Sequence, residues 1–464
     1  SFVRSVAGAE TSSFHYLHLA LPHTPWIYLP DGRVYNGRFT PGQSSTSYDW
    51  QENQFLVDQG ALRYSLQVEY VDELLGELLD ALENHPRADD FLLIVTSDHG
   101  VAFAPGEMRR RPVASTLADV ARVPLFIRYP DHEGGKQDTR RAQTIDILPT
   151  IAGTLGLPLD NPVDGSSLVS RDWSAQPRFI WEGRDSIADI EAEQDMGTAI
   201  ARIQRVVREG QPTMDNLTRV SRSTRDAGVA SLPTQSTGID STMLLKLERG
   251  EWYENIDTSS PLIPSRLTGW LQGAPEGTEI VIYLNGEAAG VGETFGTSGE
   301  ISLMLDARLF RDGANDMQAF ALKAEELHPI TIDQSLAPWR LALNDSGKII
   351  EVRRSNLTWQ RADTSEGDIG FSKGSTALGS VGGWAYETRS KTAAKYLLLL
   401  DGDTLAATGF RAFPNAVHAK QRGLEEDLPY WFSLEIGPEL KARGKALSLL
   451  ALFEDGSFAQ IRMK

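Results

Sequence analysis

The chain has 464 residues, which at roughly 150 residues per domain predicts about three domains. Its 45 basic and 63 acidic residues give a formal net charge of −18, and this argues against a general nucleic-acid-binding protein, since such proteins need a basic surface. The chain contains no cysteine, so disulfides, thiolate zinc sites and cysteine-derived nucleophiles are excluded within it.

Strand-like and helix-like segments alternate over residues 1–172. A segment rich in aromatic and apolar residues predicts a strand at Phe14–Ala20, and apolar runs predict two more, at Phe91–Thr96 and Val123–Tyr129. Apolar residues spaced three to four apart predict two helices, at Leu62–Leu82 and Thr144–Leu157. This alternation predicts an α/β layered domain with a mostly parallel sheet.

The rest of the chain has a different pattern. Residues 173–250 lack a clear period and are interpreted as a connector. Beyond them, Gly269-Trp270 and Gly383-Trp384 each precede a strand and a turn, and the turns are Asn285-Gly286 and Asp401-Gly402. This repeat predicts two small β-sandwich-like modules, at 251–335 and 336–464, and the alternative is two unrelated β modules. Matching repeat positions favour core packing of both tryptophans over stacking on sugar rings.

Asp98 and His99 directly follow the predicted strand 91–96. Ligands of open α/β sheets bind at the carboxyl ends of strands, and Gly100 allows a sharp turn after the pair. A carboxylate beside an imidazole suits a divalent cation such as Mn or Zn, or Ca if further oxygen atoms join. The alternative is a turn that ends the strand, with Asp98 as a cap.

Two histidines lie in and after the predicted strand 14–20. His23 stands between Pro22 and Pro25, which restrict the backbone and so fix the direction of the ring. Such an imidazole can donate to an anionic oxygen or act as a general acid, and the alternative is a solvated loop histidine. For His18 the pattern favours a buried, hydrogen-bonded ring, and we also consider it a candidate for substrate binding.

Arg109, Arg110 and Arg111 follow about ten residues after His99. Guanidinium groups match sulfate or phosphate oxygens, so Arg109 and Arg110 are candidates for substrate binding. A solvated basic loop is the alternative.

These segments together resemble a known family. FHYLHLALPHTPW, the long helix, FLLIVTSDHG, RVPLFIRYPD, TIDILPTIAGTLGLP and VDGSSL occur in an order similar to the sulfatase family of the alkaline-phosphatase-like superfamily. The resemblance covers roughly residues 12–170. It implies that Asp98 and His99 are metal ligands and that His23 contacts the sulfate or phosphate group. PHTPWIYLPDG and SDHGVAFAPGEMRRRP are most similar to bacterial membrane-anchored sulfatase-like proteins, whose catalytic domain lies outside the cytoplasm.

The chain also departs from the family pattern. In the family, acidic metal ligands and the nucleophile lie far upstream of the segment that corresponds to Phe14. We therefore expect an N-terminally truncated sulfatase-like domain with no nucleophile in this chain, which would be inactive by itself. The alternative is a non-catalytic relative.

The resemblance implies a metal-dependent hydrolase or transferase that acts on sulfate or phosphate esters, linked to glycans or lipids, with Ca, Mn or Zn as cofactor. It also implies a periplasmic or extracellular location, with anchoring in the membrane through a segment upstream of Ser1. The rival hypothesis is a non-catalytic cell-surface protein with glycan-binding or structural β modules.

Overall fold

The computed structural model describes residues 2–189 and 240–462, apart from internal gaps. The gaps are residues 36–41, 44–48, 114, 131–134, 175–178, 183–184, 249, 254–255, 324–325, 334–339, 355–356, 363–364, 373–378, 388–390, 395, 403, 409–410, 414–418, 422, 425–430, 437–446 and 454. The chain divides into two compact units. The first comprises Ser1–His23, Gly42–Ala61 and Val68–Glu209, and the second Thr24–Pro41, Leu62–Gln67 and Gly210–Lys464.

The described residues contain α-helices and many strands. The helices are α1 Phe2–Ala7, α2 Gln54–Glu83, α3 Leu117–Ala121 and α4 Ile147–Leu155. The strands are β1 Val34–Tyr35, β2 Leu93–Thr96, β3 Leu125–Arg128, β4 Phe179–Glu182, β5 Asp185–Asp189, β6 Asp240–Leu247, β7 Leu262–Ile263, β8 Arg266–Gln272, β9 Glu279–Leu284, β10 Glu287–Glu293, β11 Glu300–Met304, β12 Met317–Lys323, β13 Glu326–Asp333, β14 Arg340–Leu343, β15 Ile349–Arg354, β16 Leu357–Arg361, β17 Ser365–Ser372, β18 Gly379–Glu387, β19 Tyr396–Asp401, β20 Thr404–Thr408, β21 Arg411–Phe413, β22 Trp431–Ile436, β23 Leu447–Leu452 and β24 Ser457–Arg462. Within these ranges, no helix combines the length and the apolar character that a membrane crossing requires.

The predicted helix 62–82 is confirmed as part of α2, which begins earlier, at Gln54. The start is set by Asn53, whose side-chain oxygen accepts a hydrogen bond from the Leu56 backbone N–H at 3.1 Å. This capping satisfies a donor that the first helical turn leaves without a partner inside the helix. The helix ends at Asn84, as expected.

The predicted strands 91–96 and 123–129 are confirmed as β2 and β3, but their pairing differs from the expected parallel sheet. They pair antiparallel, with Ile94 opposite Ile127 and Val95 opposite Phe126. A parallel arrangement of consecutive strands needs a crossover that returns the chain to its starting edge, whereas here the chain reverses direction between them. No residue of either strand is fully buried, and Phe126 is 65% exposed.

The predicted strand Phe14–Ala20 is wrong, since this segment has no regular secondary structure. Its apolar side chains are exposed, with Phe14 at 82% and Tyr16 at 75%. A strand requires a neighbour that satisfies its backbone N–H and C=O groups, and no strand of the described residues pairs with this one. The strand prediction for this segment failed because it rested on amino-acid composition alone.

The predicted helix 144–157 is confirmed as a 3-10 turn at Thr144–Asp146 followed by α4, which ends at Gly156 in the left-handed conformation. Asp146 is 2% exposed. Its two carboxylate oxygens accept hydrogen bonds from the backbone N–H groups of Gln143 at 3.0 Å and Ser166 at 2.7 Å. This carboxylate therefore joins the start of α4 to the segment that follows the helix.

Replacing Asp146 with Ala is expected to lower the free energy of unfolding by about 2 kcal/mol, because two backbone donors lose a buried, charged acceptor. Urea denaturation of the full chain measures this loss. Asp164→Ala, at an exposed position nearby, serves as the control and should stay within about 0.5 kcal/mol of the parent. Equal stability of the two variants would show that the Asp146 hydrogen bonds contribute nothing.

In the second unit, seven strands form one sheet in the order β10-β9-β12-β13-β6-β8-β11. The Asn285-Gly286 turn joins β9 to β10, and both residues have positive φ, 53° and 87°, as the predicted hairpin turn requires. Strand β6 pairs with β8 and β13, so residues 240–247 of the predicted connector belong to this sheet.

The remaining strands form a seven-stranded sheet, β14-β15-β16-β24-β23-β19-β20, and a four-stranded sheet, β17-β18-β22-β21. The two sheets share one hydrophobic core. Val381 and Phe432 from the smaller sheet belong to the same buried cluster as Leu399, Leu449 and Ala451 from the larger one.

One order of strand pairing occurs twice in the second unit. In the first copy, β10, β9, β12, β13 and β6 are consecutive neighbours, and in the second copy β20, β19, β23, β24 and β16 take the same order. The last pair is parallel in both copies, β13 with β6 and β24 with β16. The antiparallel pair β8 and β11 corresponds to β18 and β22. Trp270 on β8 and Trp384 on β18 therefore occupy equivalent positions.

Candidate anion- and metal-binding site

The turn at the end of β2 places Asp98 and His99 side by side. The Asp98 side chain is 79% exposed and that of His99 30% exposed, and Asp98 Oδ2 lies 3.8 Å from His99 Nε2. His99 Nδ1 lies 2.8 Å from the Gly100 carbonyl oxygen, which can only accept, so Nδ1 carries the hydrogen. In the neutral ring, Nε2 then keeps its lone pair and faces the carboxylate.

Gly100 fixes where this turn meets α3. Its backbone N–H donates to the Val120 carbonyl oxygen at 2.8 Å. A Cβ atom at this position would lie 1.9 Å from the Asp119 carbonyl oxygen, so only glycine allows the approach. The steric need for glycine comes from this neighbouring backbone, and a sharp turn alone does not explain it.

The donor set of the Asp98–His99 pair fits a divalent cation in part. One carboxylate oxygen and one imidazole nitrogen 3.8 Å apart are within reach of a single ion, given metal–ligand distances of about 2.0–2.6 Å. Zinc requires about four ligands and calcium about six to eight. Among the residues that the structure describes, no cluster of three or more His, Cys, Asp or Glu residues is suited to a metal ion.

His23 and Arg110 are brought together although 87 residues separate them in the sequence. Arg110 Nη1 lies 3.3 Å from His23 Nε2, and both side chains are at the surface. The His23 backbone N–H donates to the Ala20 carbonyl oxygen at 2.8 Å, which closes the turn that carries the ring. An imidazole and a guanidinium at one point offer several N–H donors to the oxygens of an anion.

The loop that carries Arg110 is held by Trp50. The Trp50 backbone N–H donates to the Glu107 carbonyl oxygen, and its indole Nε1 donates to the Ala102 carbonyl oxygen, both at 2.9 Å. The Gly106 backbone N–H returns a hydrogen bond to the Trp50 carbonyl oxygen at 3.1 Å. Trp50 is only 2% exposed, so it fixes the loop from a buried position.

Gly60 on α2 makes room for this indole. A Cβ atom at Gly60 would lie 2.2 Å from the nearest ring carbon of Trp50. Sequence reasoning missed both residues. Gly60 lies just before the helix predicted from the leucine spacing, and a glycine at such a position can mark close packing against another group.

The other sequence-predicted residues are placed differently. Arg109 is buried, at 6% exposed, and its Nη1 donates to Gln43 Oε1 at 3.5 Å, so it packs inside the unit while Arg110 faces solvent. The prediction of a buried His18 is wrong. His18 is exposed, because the segment around it does not enter a sheet. The structure thus groups the candidates into two pairs, Asp98 with His99 and His23 with Arg110.

Comparison with known proteins gives a consistent result for this part of the chain. Residues 2–157 match the family model described as Sulfatase. An N-acetylglucosamine-6-O-sulfatase of Bacteroides thetaiotaomicron is 30% identical over 120 residues, which cover 26% of this chain and 20% of that protein. A choline-sulfatase of Rhizobium meliloti is 35% identical over 109 residues, which cover 23% of this chain and 21% of that protein.

A third relative is the multifunctional alkaline phosphatase superfamily protein PehA of Trinickia caryophylli, 27% identical over 147 residues, or 29% of this chain and 28% of that protein. The chain thus spans between about a fifth and three tenths of the length of these curated relatives. Among solved structures, the central fibronectin-III array of RIM-binding protein aligns over 43% of this chain and 92% of its own, at 8% identity and a TM-score of 0.15, which is too low to indicate a common fold. Residues 2–157 of this chain are thus similar to the sulfatase family of the alkaline-phosphatase-like superfamily, and this similarity implies an α/β fold for that part.

Proposed function

We propose that the chain is part of a metal-dependent enzyme that hydrolyses sulfate esters. The observation that carries the proposal is the approach of Arg110 Nη1 to His23 Nε2 at 3.3 Å, in a segment that matches the sulfatase family. A guanidinium and an imidazole from distant parts of the sequence meet at one exposed point, and such an arrangement suits the oxygens of a sulfate group.

The chemistry of this pair follows from its hydrogen bonding. In the neutral ring, His23 Nε2 accepts from Arg110, and protonation turns the same nitrogen into a donor. A sulfate oxygen between the two groups would then accept from both, and the anion would offset the repulsion between two cations. In this proposal, His23 and Arg110 bind the transferred group. His23 also donates a proton as a general acid.

Asp98 and His99 are the residues that would hold the metal ion, with Asp98 Oδ2 and His99 Nε2 as ligand atoms. A bound divalent cation would neutralise the non-bridging oxygens of the ester and lower the pKa of the attacking hydroxyl. Ca, Mn and Zn fit this mixed oxygen and nitrogen set to different degrees, and the names of the relatives do not distinguish them.

The remaining parts of the proposal extend the family resemblance. The nucleophile lies outside these residues, so the chain alone hydrolyses no ester. The substrate is a sulfate ester of a glycan or lipid, as the N-acetylglucosamine-6-O-sulfatase relative illustrates for glycans. Phosphate esters and group transfer are the variants of this proposal. The enzyme acts at the periplasmic or extracellular face of a membrane to which a further segment anchors it.

Anion binding by the full chain tests the His23–Arg110 pair. Isothermal titration with sodium sulfate, and separately with sodium phosphate, is expected to show binding that Arg110→Ala weakens by about tenfold, because the guanidinium supplies charged hydrogen bonds. Arg111→Ala is the matched control, since Arg111 is a neighbouring exposed arginine, and it should retain the parent affinity. The same affinity in all three proteins would contradict the assignment of Arg110.

Metal binding is tested separately by titration of the chain with Ca²⁺, Mn²⁺ and Zn²⁺. At least one ion should bind, and Asp98→Ala should abolish most of that binding, whereas Asp89→Ala, at an exposed position before β2, should not change it. In the complete protein, 4-nitrophenyl sulfate turnover should require the same ion. Turnover that neither depends on a metal nor falls in Asp98→Ala would refute the catalytic proposal.

A further inference from the structure

Trp270 stands on the solvent side of the seven-stranded sheet of the second unit. It is 39% exposed, whereas its neighbours along β8, Gly269 and Leu271, are buried and Leu271 is 1% exposed. Successive side chains of a strand point to opposite faces, so Leu271 enters the core and Trp270 faces outward. The prediction that Trp270 packs in a core is therefore wrong.

A row of side chains crosses the sheet at this level. Trp270 is paired with Lys246 of β6 on one side and with Glu300 of β11 on the other, and Glu300 is paired in turn with Phe295. Residues directly opposite in antiparallel strands share a face, so these four side chains lie on the outer face in the order Lys, Trp, Glu, Phe. Lys246 and Phe295 are half-buried, and Glu300 is exposed.

The equivalent tryptophan in the second copy, Trp384, is buried. Trp384 is 9% exposed, stacks on Tyr386 with ring centroids 5.5 Å apart, and lies in a cluster with Ala419 and Leu424. The chain that follows β20 thus covers Trp384. The first copy leaves the corresponding ring open to solvent, although a covered indole would stabilise the sheet through burial of apolar area. The two equivalent positions therefore differ in burial, at 39% exposed for Trp270 and 9% for Trp384.

We propose that the outer face around Trp270 is a carbohydrate-binding site that accepts pyranose rings of a glycan. The C–H groups on one face of a pyranose pack on the π face of an indole, and flanking polar side chains bind its hydroxyls. Lys246 donates, Glu300 accepts, and Gln272, two residues along β8, does both.

The spacing of the two aromatic rings defines the extent of the site. Trp270 and Phe295 lie two strands apart, or roughly 10 Å, which is comparable to the length of a disaccharide. A linear glycan that crosses the strands would meet Trp270 at one sugar and Phe295 further along, with Glu300 between them. This geometry selects oligosaccharides over single sugars.

The test is isothermal titration of the full chain with three probes, cellohexaose, chitohexaose and a chondroitin sulfate hexasaccharide, which represent neutral, N-acetylated and sulfated chains. At least one probe should bind, and Trp270→Ala should weaken its affinity by about tenfold or more. Leu343→Ala is the matched control, because Leu343 is an apolar side chain of the same unit that is 46% exposed, and it should bind like the parent.

Glu300→Gln keeps the shape of the site and should also weaken binding, so the test does not depend on the folding of one variant. Absence of binding to all three probes, or equal affinity in Trp270→Ala and the parent, would overturn the proposal. The outcome is independent of the proposed sulfatase function, since sulfate binding at His23 and Arg110 is measured with a different ligand and different variants.

Discussion

Replacement of Trp50 by Ala is expected to lower the free energy of unfolding by about 4 kcal/mol, since the loss of a large buried aromatic side chain leaves a cavity. Trp50 is 2% exposed, its ring centroid lies 5.8 Å from that of Phe103, and its indole N–H donates to the Ala102 carbonyl oxygen. The variant therefore loses both apolar packing and a buried hydrogen bond.

The same substitution should also alter the position of Arg110 in the candidate site, because Trp50 fixes the loop that carries Arg110. We expect sulfate affinity to fall in Trp50→Ala even at temperatures where the variant stays folded. Trp50→Phe separates the two contributions. It keeps much of the ring contact and loses the hydrogen bond to Ala102, so its loss of stability should be about 2 kcal/mol. Urea denaturation gives both values, and equal stability of Trp50→Ala and the parent would refute the role of Trp50 in holding the loop.

Gly100→Ala is expected to cost about 3 kcal/mol of stability, because the added Cβ would lie 1.9 Å from the Asp119 carbonyl oxygen. The neighbouring atom belongs to the backbone, so no side-chain rotation relieves the overlap. Either the turn after β2 or the end of α3 has to move, and the first of these movements displaces Asp98 and His99. Metal affinity should therefore fall together with stability.

Gly76→Ala provides the control for this variant. Gly76 lies inside α2, and apart from the adjoining helix backbone a Cβ atom there would meet nothing within 4 Å. Since alanine favours the helix more than glycine does, this substitution should raise stability by about 1 kcal/mol. The two glycine variants are thus expected to change the free energy of unfolding in opposite directions. A loss of similar size in both would show that the contact with Asp119 does not set the requirement at Gly100.

Local patterns predicted much of the first unit. The leucine spacing of α2 and the apolar runs of β2 and β3 identified those elements, since both patterns are contained within short segments of sequence. The Phe14–Ala20 run has the composition of a strand and fails for want of a pairing partner, which composition does not encode. The antiparallel pairing of β2 with β3 was missed for the same reason.

In the candidate site, too, local features could be predicted from the sequence and contacts between distant residues could not. Asp98 and His99 are adjacent in the sequence, so their proximity could be predicted. The contact of His23 with Arg110 spans 87 residues and depends on the loop that Trp50 holds, so no short motif contains it. Trp270 and Trp384 share a sequence pattern and an equivalent strand, and they differ because of residues outside that pattern, Ala419 and Leu424, which cover only the second.

The repeated strand order of the two β modules has an evolutionary consequence. If the two copies arose from one duplicated sequence, Trp270 and Trp384 descend from one residue under one selective constraint. The two positions later came under different constraints. Mutations around Trp384 now affect a packed core and should be removed by selection for folding. The side chains in the row from Lys246 to Phe295 lie on the outer face of the sheet and not in a packed core. Substitutions there can change which ligand is bound at little cost in stability. Among descendants of this chain, the first module should therefore diversify in recognition while the second stays constant.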